Sequence, residues 1–284
     1  MANVIAPYIQ IARPLNTCIA GCAVLLGMWL TGFASPRPAL LAAAAMAAAA
    51  YGNVINDLLD VETDRISHPR RPLVTGAMGT GAAAFFAAAL AALSLLCAGL
   101  ASAFHLSAAL IPLALLTLYS IYFKRTRLVG NIIVAALAAY ALVFGSLPRP
   151  ETKILLAPAL LAFLLHFCRE LAKDVQDAEG DRAAGFTTSA ELPKRAVRGL
   201  LAAAGGAHLI VMWAPWVFLG HFGEIYTGVC VAAVLPLHIS WMMLIFRADF
   251  DKYVGRIGSL LKIEMVAGLL ALAADKIFCL FWRT

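Results

Sequence analysis

The chain has 284 residues, of which 62% are hydrophobic and only 13% are charged, and its mean hydropathy is +0.85. A soluble globular protein is about half apolar and a quarter charged, so this composition excludes an ordinary soluble protein and indicates one that crosses a membrane repeatedly. The net charge of +6 comes from dispersed residues, not from a basic block, so no binding of nucleic acid is expected.

Nine apolar stretches predict membrane-spanning helices, because a span requires about 20 mostly apolar residues. We therefore expect an all-α, polytopic membrane protein that forms a single domain over residues 1–284. The first 14 residues lack the features of a cleaved leader, so no removable signal peptide is predicted. The predicted spans are residues 15–34, 38–58, 81–103, 106–123, 128–147, 154–173, 196–219, 225–246 and 258–281.

Lysine and arginine residues are distributed unequally between the two sides of these spans. With nine spans, 17 of the 22 basic residues fall on the side that carries the N-terminus, including Arg13, and five fall on the other side, among them Arg283. Cytoplasmic loops are enriched in these residues. We therefore predict an inner-membrane protein whose N-terminus, and the loops after its even-numbered spans, face the cytoplasm.

Cysteine and histidine form no recognisable motif in this chain. The six cysteines are scattered through apolar stretches without a CxxC pair, so we predict neither a zinc site nor a disulfide framework. His68 lies in a polar loop and is a candidate to contact phosphate. The other five histidines are isolated in the sequence and are predicted to be packing or interfacial residues: His105, His166, His208, His221 and His238.

Nine of the 16 acidic residues lie in two stretches, each at the end of an apolar run. The first acidic cluster, residues 52–65, contains Asn56, Asp60 and Asp64 at a spacing that would place them on one stripe of a helix. The second acidic cluster, residues 169–182, lies about a hundred residues later. It carries an i, i+3, i+7 row made of Asp174, Asp177 and Asp181.

Carboxylates packed this closely at a membrane boundary repel one another, so they either hold a proton or bind cations. The rows offer only hard oxygen ligands, which favours Mg²⁺ over zinc, copper or iron. Mg²⁺ is commonly held by one or two carboxylates together with a substrate phosphate. Two acidic clusters that face each other could therefore hold Mg²⁺ with a diphosphate between them.

Basic residues accompany both clusters, as a diphosphate site would require. Arginine recognises phosphate with two parallel hydrogen bonds, and cations stabilise the charge that grows on a departing diphosphate. Tyr119 is either an interfacial aromatic residue or a residue that faces this site. The candidate cations are Arg65, Arg70 and Arg71 after the first cluster, Lys124 and Arg125 after the fourth span, and Lys173 and Arg182 at the second cluster.

The pattern Asn56-x-x-x-Asp60-x-x-x-Asp64, with Asp177-x-x-x-Asp181 as its later partner, resembles the two Asp-rich motifs of the UbiA superfamily of intramembrane prenyltransferases. Two further motifs are similar to that family, and the resemblance covers about residues 10–280. They are Arg13-Pro14-x-Asn16 and Arg70-Arg71-Pro72-Leu73-x-x-Gly76.

The resemblance implies nine transmembrane helices around a central cavity, with a prenyl diphosphate and Mg²⁺ at its cytoplasmic end. It implies that the apolar interior holds the isoprenoid tail. The implied catalytic and metal-binding residues are Asn56, Asp60, Asp64, Asp177 and Asp181. The implied substrate-binding residues are Arg13, Asn16, Arg65, Arg71, Lys124 and Lys173, and we add Tyr119, Asp174 and Arg182 as candidates.

The sequence of both clusters most resembles that of one branch of the family. Enzymes of this branch transfer a geranylgeranyl group to the free hydroxyl of a prenylated glycerol phosphate in ether-lipid synthesis. An acceptor phosphate needs further cations, and the chain offers Lys173, Arg182, Lys194 and Arg195. The proton acceptor for that hydroxyl is left open between Asp174, Asp57 and the departing diphosphate itself.

Two other functions would also use buried carboxylates. A related enzyme with an aromatic acceptor would share the same Mg²⁺ site, so the first cluster alone does not distinguish it. A cation transporter would place intramembrane carboxylates near the middle of its helices. Here the acids lie at predicted helix ends beside arginines, which would repel a transported cation.

Overall fold

The protein is a bundle of helices, seen in a computed structural model that describes residues 5–32, 37–217 and 222–282. The described residues contain no β-strand, so the predicted all-α fold class is confirmed. The α-helices are α1 (Ala6–Ala12), α2 (Pro14–Leu30), α3 (Pro38–Leu59), α4 (Val61–Ser67), α5 (Thr80–Ala101), α6 (Ala103–Ile121), α7 (Val129–Phe144), α8 (Leu156–Ala183), α9 (Lys194–Val217), α10 (Glu224–Val229), α11 (Leu235–Ile245) and α12 (Phe250–Trp282).

Seven helical segments in the described part of the chain are long and apolar enough to cross a membrane, and the bent pair α1–α2 raises the number to eight. The predicted span 128–147 corresponds to α7, which has only 16 residues. The predicted count of nine spans therefore stays a prediction. The ends of two predicted spans, residues 33–34 and 218–219, lie outside the described residues, as do His221 and Arg283.

Prolines and a capping serine set several helix boundaries. Pro14 and Pro38 occupy the first positions of α2 and α3, where the missing N–H is not needed for an intrahelical bond. Ser102 separates α5 from α6, because its hydroxyl oxygen accepts a hydrogen bond from the backbone N–H of His105 at 3.1 Å. The boundary between the third and fourth predicted spans therefore lies at residue 102, within one residue of the expected end of the third span.

The helices enclose a central cavity of about 260 Å³. It is lined by residues of α2, α3, α5, α6, α7, α8, α9, α10 and α12. The alanine-rich run of α3 leaves this space open, because four lining residues have only a methyl side chain: Ala44, Ala45, Ala48 and Ala49. The helix α8 packs against α7, α9 and α12, and it also contacts the short α4, so it connects the two halves of the bundle.

Candidate active site

The first acidic cluster lies at a break between α3 and α4. Asp60 is the residue at the break, with φ −105° and ψ 9°, so the helix predicted to carry the three residues is divided there into α3 and α4. Aspartate favours such positions because its side chain competes with the helical backbone. The i+4 hydrogen bonds persist from Asp60 N to Asn56 O (3.0 Å) and from Asp64 N to Asp60 O (2.8 Å). The three side chains therefore still follow one another, and each is at most 8% exposed.

Two arginines compensate the buried acids of this cluster. Arg71 Nη1 donates to Asp57 Oδ1 at 2.9 Å and also contacts Asp64 Oδ2. Arg13 donates to the same Asp57 oxygen. Burial raises the pKa of the Asp64 carboxyl, and the neighbouring Arg71 guanidinium opposes that rise. The cluster is thus a buried network of carboxylates and guanidinium groups. The predicted binding of substrate by Arg13 and Arg71 stays a prediction.

Arg13 reaches this network through an unusual backbone conformation. It lies between α1 and α2 with φ 54°, a left-handed conformation that is uncommon for a residue with a side chain, and the two helices are bent by 52° there. Residues held in such conformations often belong to functional sites. Asn53 reinforces the bend, because its Nδ2 donates to the backbone oxygen of Ala12 at 2.9 Å.

Lys124 extends the network from the other side of the bundle. It follows α6, and its Nζ donates to Asp60 Oδ2. Its side chain is only 13% exposed. The structure therefore brings this predicted substrate-binding cation directly to the first acidic cluster.

The second acidic cluster lies entirely on α8, which continues without a break to Ala183. The predicted i, i+3, i+7 row of Asp174, Asp177 and Asp181 is thus on one helix. Asp174 is held by protein groups, since its Oδ2 accepts hydrogen bonds from Asn131 Nδ2 (2.9 Å) and Ser189 Oγ (2.6 Å). These two partners lie 43 and 15 residues away in the chain, and no motif in the sequence pointed to them.

Asp181 differs from the other acids of the site. It is only 4% exposed, and among the described residues its carboxylate has no hydrogen-bond or ion-pair partner. A buried carboxylate without a partner is costly unless a cation joins it. Asp181 is therefore an acid of this site whose carboxylate is available to bind a cation.

The structure brings the two clusters together. His68, which follows the first cluster, has its Nε2 3.3 Å from Asp177 Oδ1 in the second. Gly180 permits this approach, because a Cβ atom there would lie 2.2 Å from Ser67 Oγ and 3.0 Å from the backbone oxygen of Thr63. The predicted contact of His68 with a bound phosphate stays a prediction, but its position between the clusters is established.

Tyr119 lies near carboxylates of both clusters. It interacts electrostatically with carboxylates of both, namely Asp60, Glu170, Asp174 and Asp181. Of the two alternatives left open by the sequence, the structure therefore favours the one in which Tyr119 faces the site.

The donor set fits a hard divalent cation. Asn56, Asp60, Asp64, Asp177 and Asp181 offer only amide and carboxylate oxygens, which are the ligands that Mg²⁺ prefers. In the described part of the chain, no three of these carboxylates converge within 4.8 Å of one another. Such a site suits Mg²⁺, which keeps several waters and is bridged to the protein by a substrate phosphate rather than held in a closed protein cage.

Several predicted cations lie away from this site. Arg65 has a side chain that is 61% exposed and pairs with Glu62 at 3.1 Å, and Arg182 is also exposed. Lys194 pairs with Asp251 on the surface. The structure therefore does not place these three side chains among the buried acids: Arg65 follows the buried Asp64, and neighbouring residues of a helix point about 100° apart. Their contact with substrate phosphates stays a prediction. Lys173 is half-buried and forms no ion pair among the described residues.

The central cavity extends toward the acidic clusters, although no residue of either cluster lines it. Asn16, a predicted substrate-binding residue, lines it, and so does Leu116, one turn before Tyr119. His208 also lines the cavity and stacks on the buried His238 with ring centroids 5.1 Å apart. These two histidines are isolated in the sequence and were predicted to be packing or interfacial residues; both are buried, and α9 and α11 bring them together.

Comparison with known proteins identifies the family. The sequence matches the UbiA prenyltransferase family over residues 20–253. The chain belongs to the UbiA prenyltransferase family. It is therefore a prenyltransferase. It is also an integral membrane protein, as its composition and its long apolar helices indicate.

Relatives of this UbiA-family chain include two archaeal proteins named digeranylgeranylglyceryl phosphate synthase. The protein from Methanothermobacter thermautotrophicus is 31% identical over 275 residues, which cover 94% of this chain and 95% of the relative. The protein from Methanopyrus kandleri is 32% identical over 274 residues, which cover 94% of this chain and 98% of the relative. Both alignments therefore extend over nearly the whole of each chain.

Solved structures of UbiA-family proteins share the fold. A structure of digeranylgeranylglyceryl phosphate synthase superposes with a TM-score of 0.76 at 27% identity, covering 96% of this chain and 99% of the other. A UbiA homologue from Archaeoglobus fulgidus bound to GPP and Mg²⁺ superposes with a TM-score of 0.67 at 20% identity, covering 94% and 99%. The second likeness is one of fold alone.

Proposed function

We propose that this UbiA-family enzyme transfers a geranylgeranyl group from its diphosphate to the hydroxyl of a prenylated glycerol phosphate, in a reaction that requires Mg²⁺. The observation that carries the proposal is the meeting of two buried acidic clusters, at His68 and Asp177, beside an apolar cavity. The names of the relatives from Methanothermobacter thermautotrophicus and Methanopyrus kandleri support the acceptor.

The proposed site for Mg²⁺ and the donor diphosphate lies between the clusters. Mg²⁺ would be held by Asn56, Asp60, Asp64, Asp177 and Asp181, and when bound it would stabilise the negative charge on the departing diphosphate. The Archaeoglobus fulgidus homologue bound to GPP and Mg²⁺ supports this choice of cation and donor class.

The cations of the site would exchange partners when substrate binds. Without substrate, Lys124 neutralises Asp60, and Arg71 neutralises Asp57 and Asp64. Once a divalent cation shares the carboxylates, Lys124 and Arg71 become available to donate to diphosphate oxygens, with bond strengths typical of charge-assisted hydrogen bonds. Lys173, which has no ion-pair partner among the described residues, is a further phosphate ligand in this proposal.

The apolar cavity would hold the isoprenoid chain of the donor. Its lining is dominated by alanine, leucine and other apolar side chains, which bury a hydrocarbon chain favourably and keep water from the reacting carbon. Exclusion of water matters here, because water would compete with the acceptor hydroxyl for the allylic carbon.

The acceptor hydroxyl would form a bond to the allylic carbon as the carbon–oxygen bond to diphosphate breaks, and the hydroxyl would lose its proton. Asp57 and Asp174 are the protein candidates for the proton acceptor. Asp57 already binds two guanidinium groups, and Asp174 already accepts hydrogen bonds from Asn131 and Ser189. Because both carboxylates are engaged, we propose the departing diphosphate as the proton acceptor.

We further propose that residues 1–284 form one prenyltransferase domain in the inner membrane, with the acidic clusters toward the cytoplasm. The excess of basic residues on that side, 17 of 22, supports this orientation.

The test is an acceptor comparison with the purified protein. Labelled geranylgeranyl diphosphate is supplied with geranylgeranylglyceryl phosphate in one reaction and with 4-hydroxybenzoate in another, each with Mg²⁺ or with EDTA. We expect product only when the glycerol phosphate is the acceptor, and only when Mg²⁺ is present. Product only with the aromatic acid would show that the enzyme uses aromatic acceptors. Product in EDTA would contradict the role of the metal.

A further inference from the structure

A second cluster of metal-ligating side chains lies in the C-terminal half of the bundle, away from the acidic clusters. It consists of His208 on α9, His238 on α11 and Glu264 on α12, all at most 3% exposed. Their ligand atoms lie within 4.8 Å of one another, and among the described residues they form the one such group of three His, Cys, Asp or Glu. Three helices that are separate in sequence therefore converge on one point.

This cluster is distinct from the proposed Mg²⁺ site. Glu264 interacts electrostatically with Cys168 on α8. Cys168 precedes Asp177 by nine residues on the same helix, a rise of about 13 Å along the axis. The cluster thus lies deeper in the bundle than the acids, where ionisable residues are costly and are functional by default.

The hydrogen bonds within the cluster leave part of it unsatisfied. Glu264 Oε1 is 2.7 Å from His238 Nδ1, and Glu264 Oε2 accepts a hydrogen bond from Trp241 Nε1 at 2.6 Å. His208 Nδ1 is 3.7 Å from Glu264 Oε1, too far for a hydrogen bond. His208 Nδ1 and His238 Nε2 are both buried without a hydrogen-bond partner. Buried polar atoms are nearly always paired, so this network is incomplete.

We propose that His208, His238 and Glu264 bind one divalent transition-metal ion of the zinc class. Metal–nitrogen and metal–oxygen bonds of about 2.1 Å in tetrahedral geometry separate ligand atoms by about 3.4 Å. The observed separations of 2.7 and 3.7 Å from Glu264 Oε1 lie on either side of that value. A metal ion at this point gives His208 Nδ1 the partner that it lacks.

The surroundings of the cluster resemble those of metal centres. Trp241 fixes the second oxygen of Glu264, as outer hydrogen bonds commonly orient metal-binding carboxylates. A π-helical stretch, Cys230–Val234, lies four residues before His238, and such stretches are frequent at functional sites. His208 and Glu264 also line the central cavity, so the fourth coordination position would face it. Imidazole ligands favour zinc, copper, iron or nickel over Mg²⁺.

The test uses the full-length protein in detergent, stripped with a chelator and then titrated with Co²⁺ in excess Mg²⁺, which occupies the oxygen-only site. We expect one Co²⁺ per chain with the visible absorption of a four- or five-coordinate ion, and Zn²⁺ should displace it. The His208→Gln and Glu264→Gln variants should lose this absorption. Trp241→Phe should bind Co²⁺ about 10- to 100-fold more weakly, because only the orientation of Glu264 is affected.

Two control variants establish whether the Co²⁺ lies at this cluster. Asp181→Asn, in the acidic site, and His105→Gln, at a buried histidine on α6, should both retain the Co²⁺ absorption. Thermal denaturation of each metal-free variant establishes that it is folded. The proposal is overturned if the wild-type protein shows no Zn²⁺-displaceable Co²⁺. It is also overturned if the absorption survives His208→Gln or disappears in Asp181→Asn, since the metal would then lie elsewhere.

Discussion

His68 Nε2 lies 3.3 Å from Asp177 Oδ1, although 109 residues separate them in the chain. This contact joins the loop after the first acidic cluster to the middle of the second. It brings the two sets of carboxylates into one polar region, which Tyr119 also approaches. A ligand that enters this site therefore meets both clusters at once.

Asp181→Asn should strongly reduce transfer without unfolding the protein. Asp181 has no ion-pair partner among the described residues, so the substitution removes a proposed metal ligand and leaves no cation without its partner. Loss of one preorganised electrostatic group lowers kcat by roughly 10²- to 10³-fold. Mg²⁺-dependent transfer and thermal denaturation in detergent measure the two effects.

Asp60→Asn should behave differently, because Asp60 neutralises the mostly buried Lys124. Besides losing activity, this variant should lose about 1–3 kcal/mol of unfolding free energy in the metal-free state, since it leaves a charge without its partner. The double variant Asp60→Asn, Lys124→Met should recover stability but not activity. Equal stability of Asp60→Asn and wild type would mean that this pair is not formed.

Arg71→Lys should lower kcat/KM by about 10- to 100-fold, the equivalent of the roughly 1.5–3 kcal/mol of a charged hydrogen bond. Arg71 Nη1 alone contacts both Asp57 and Asp64, so a lysine keeps the charge there but lacks the other guanidinium N–H groups that would donate to the diphosphate. Arg65→Lys is the matched control and should change the activity little, because Arg65 is exposed and pairs with Glu62. Equal losses in the two variants would contradict the placement of Arg65 outside the site.

Gly180→Ala should weaken activity by forcing α4 away from α8. The added Cβ would lie 2.2 Å from Ser67 Oγ, which can rotate, and 3.0 Å from the backbone oxygen of Thr63, which cannot. Such overpacking costs about 1–3 kcal/mol. Adding Ser67→Ala should restore part of the activity. Gly199→Ala is the control, because a Cβ there meets nothing within 4 Å, and it should change the activity little.

Filling the cavity should change the preferred length of the donor. Ala138 lines the cavity, so Ala138→Phe should reduce kcat/KM for geranylgeranyl diphosphate more than for the shorter geranyl diphosphate. Ala89 is exposed on α5, and Ala89→Phe should leave the ratio unchanged. A ratio that is the same in both variants would show that the donor tail does not occupy this cavity.

The sequence predicts local features well and contacts between helices poorly. The row Asp174, Asp177 and Asp181 follows directly from helical spacing, because α8 is regular there. The break at Asp60 could not be predicted, since the i+4 spacing of the acids is kept across it. The exposure of Arg65 could not be predicted either, because closeness in sequence does not determine the face of a helix.

The stacked pair of His208 and His238 shows more clearly that a sequence does not predict contacts between helices. His208 and His238 lie 30 residues apart on different helices, and each alone looks like an ordinary buried residue. The periodicity of a single helix carries no information about which side chains of a neighbouring helix it will meet. Glu264, an acidic residue within an apolar run, was the one available indication that this region holds a polar cluster.

The central claim is that both acidic clusters hold the same Mg²⁺–diphosphate, and a double-mutant cycle tests it most directly. Mg²⁺-dependent binding of geranylgeranyl diphosphate is measured for wild type, Asp60→Asn, Asp181→Asn and the double variant. One shared site predicts strong non-additivity, with a coupling of at least about 1 kcal/mol. Effects that add to within about 0.5 kcal/mol would show that the clusters act independently and would contradict the shared site.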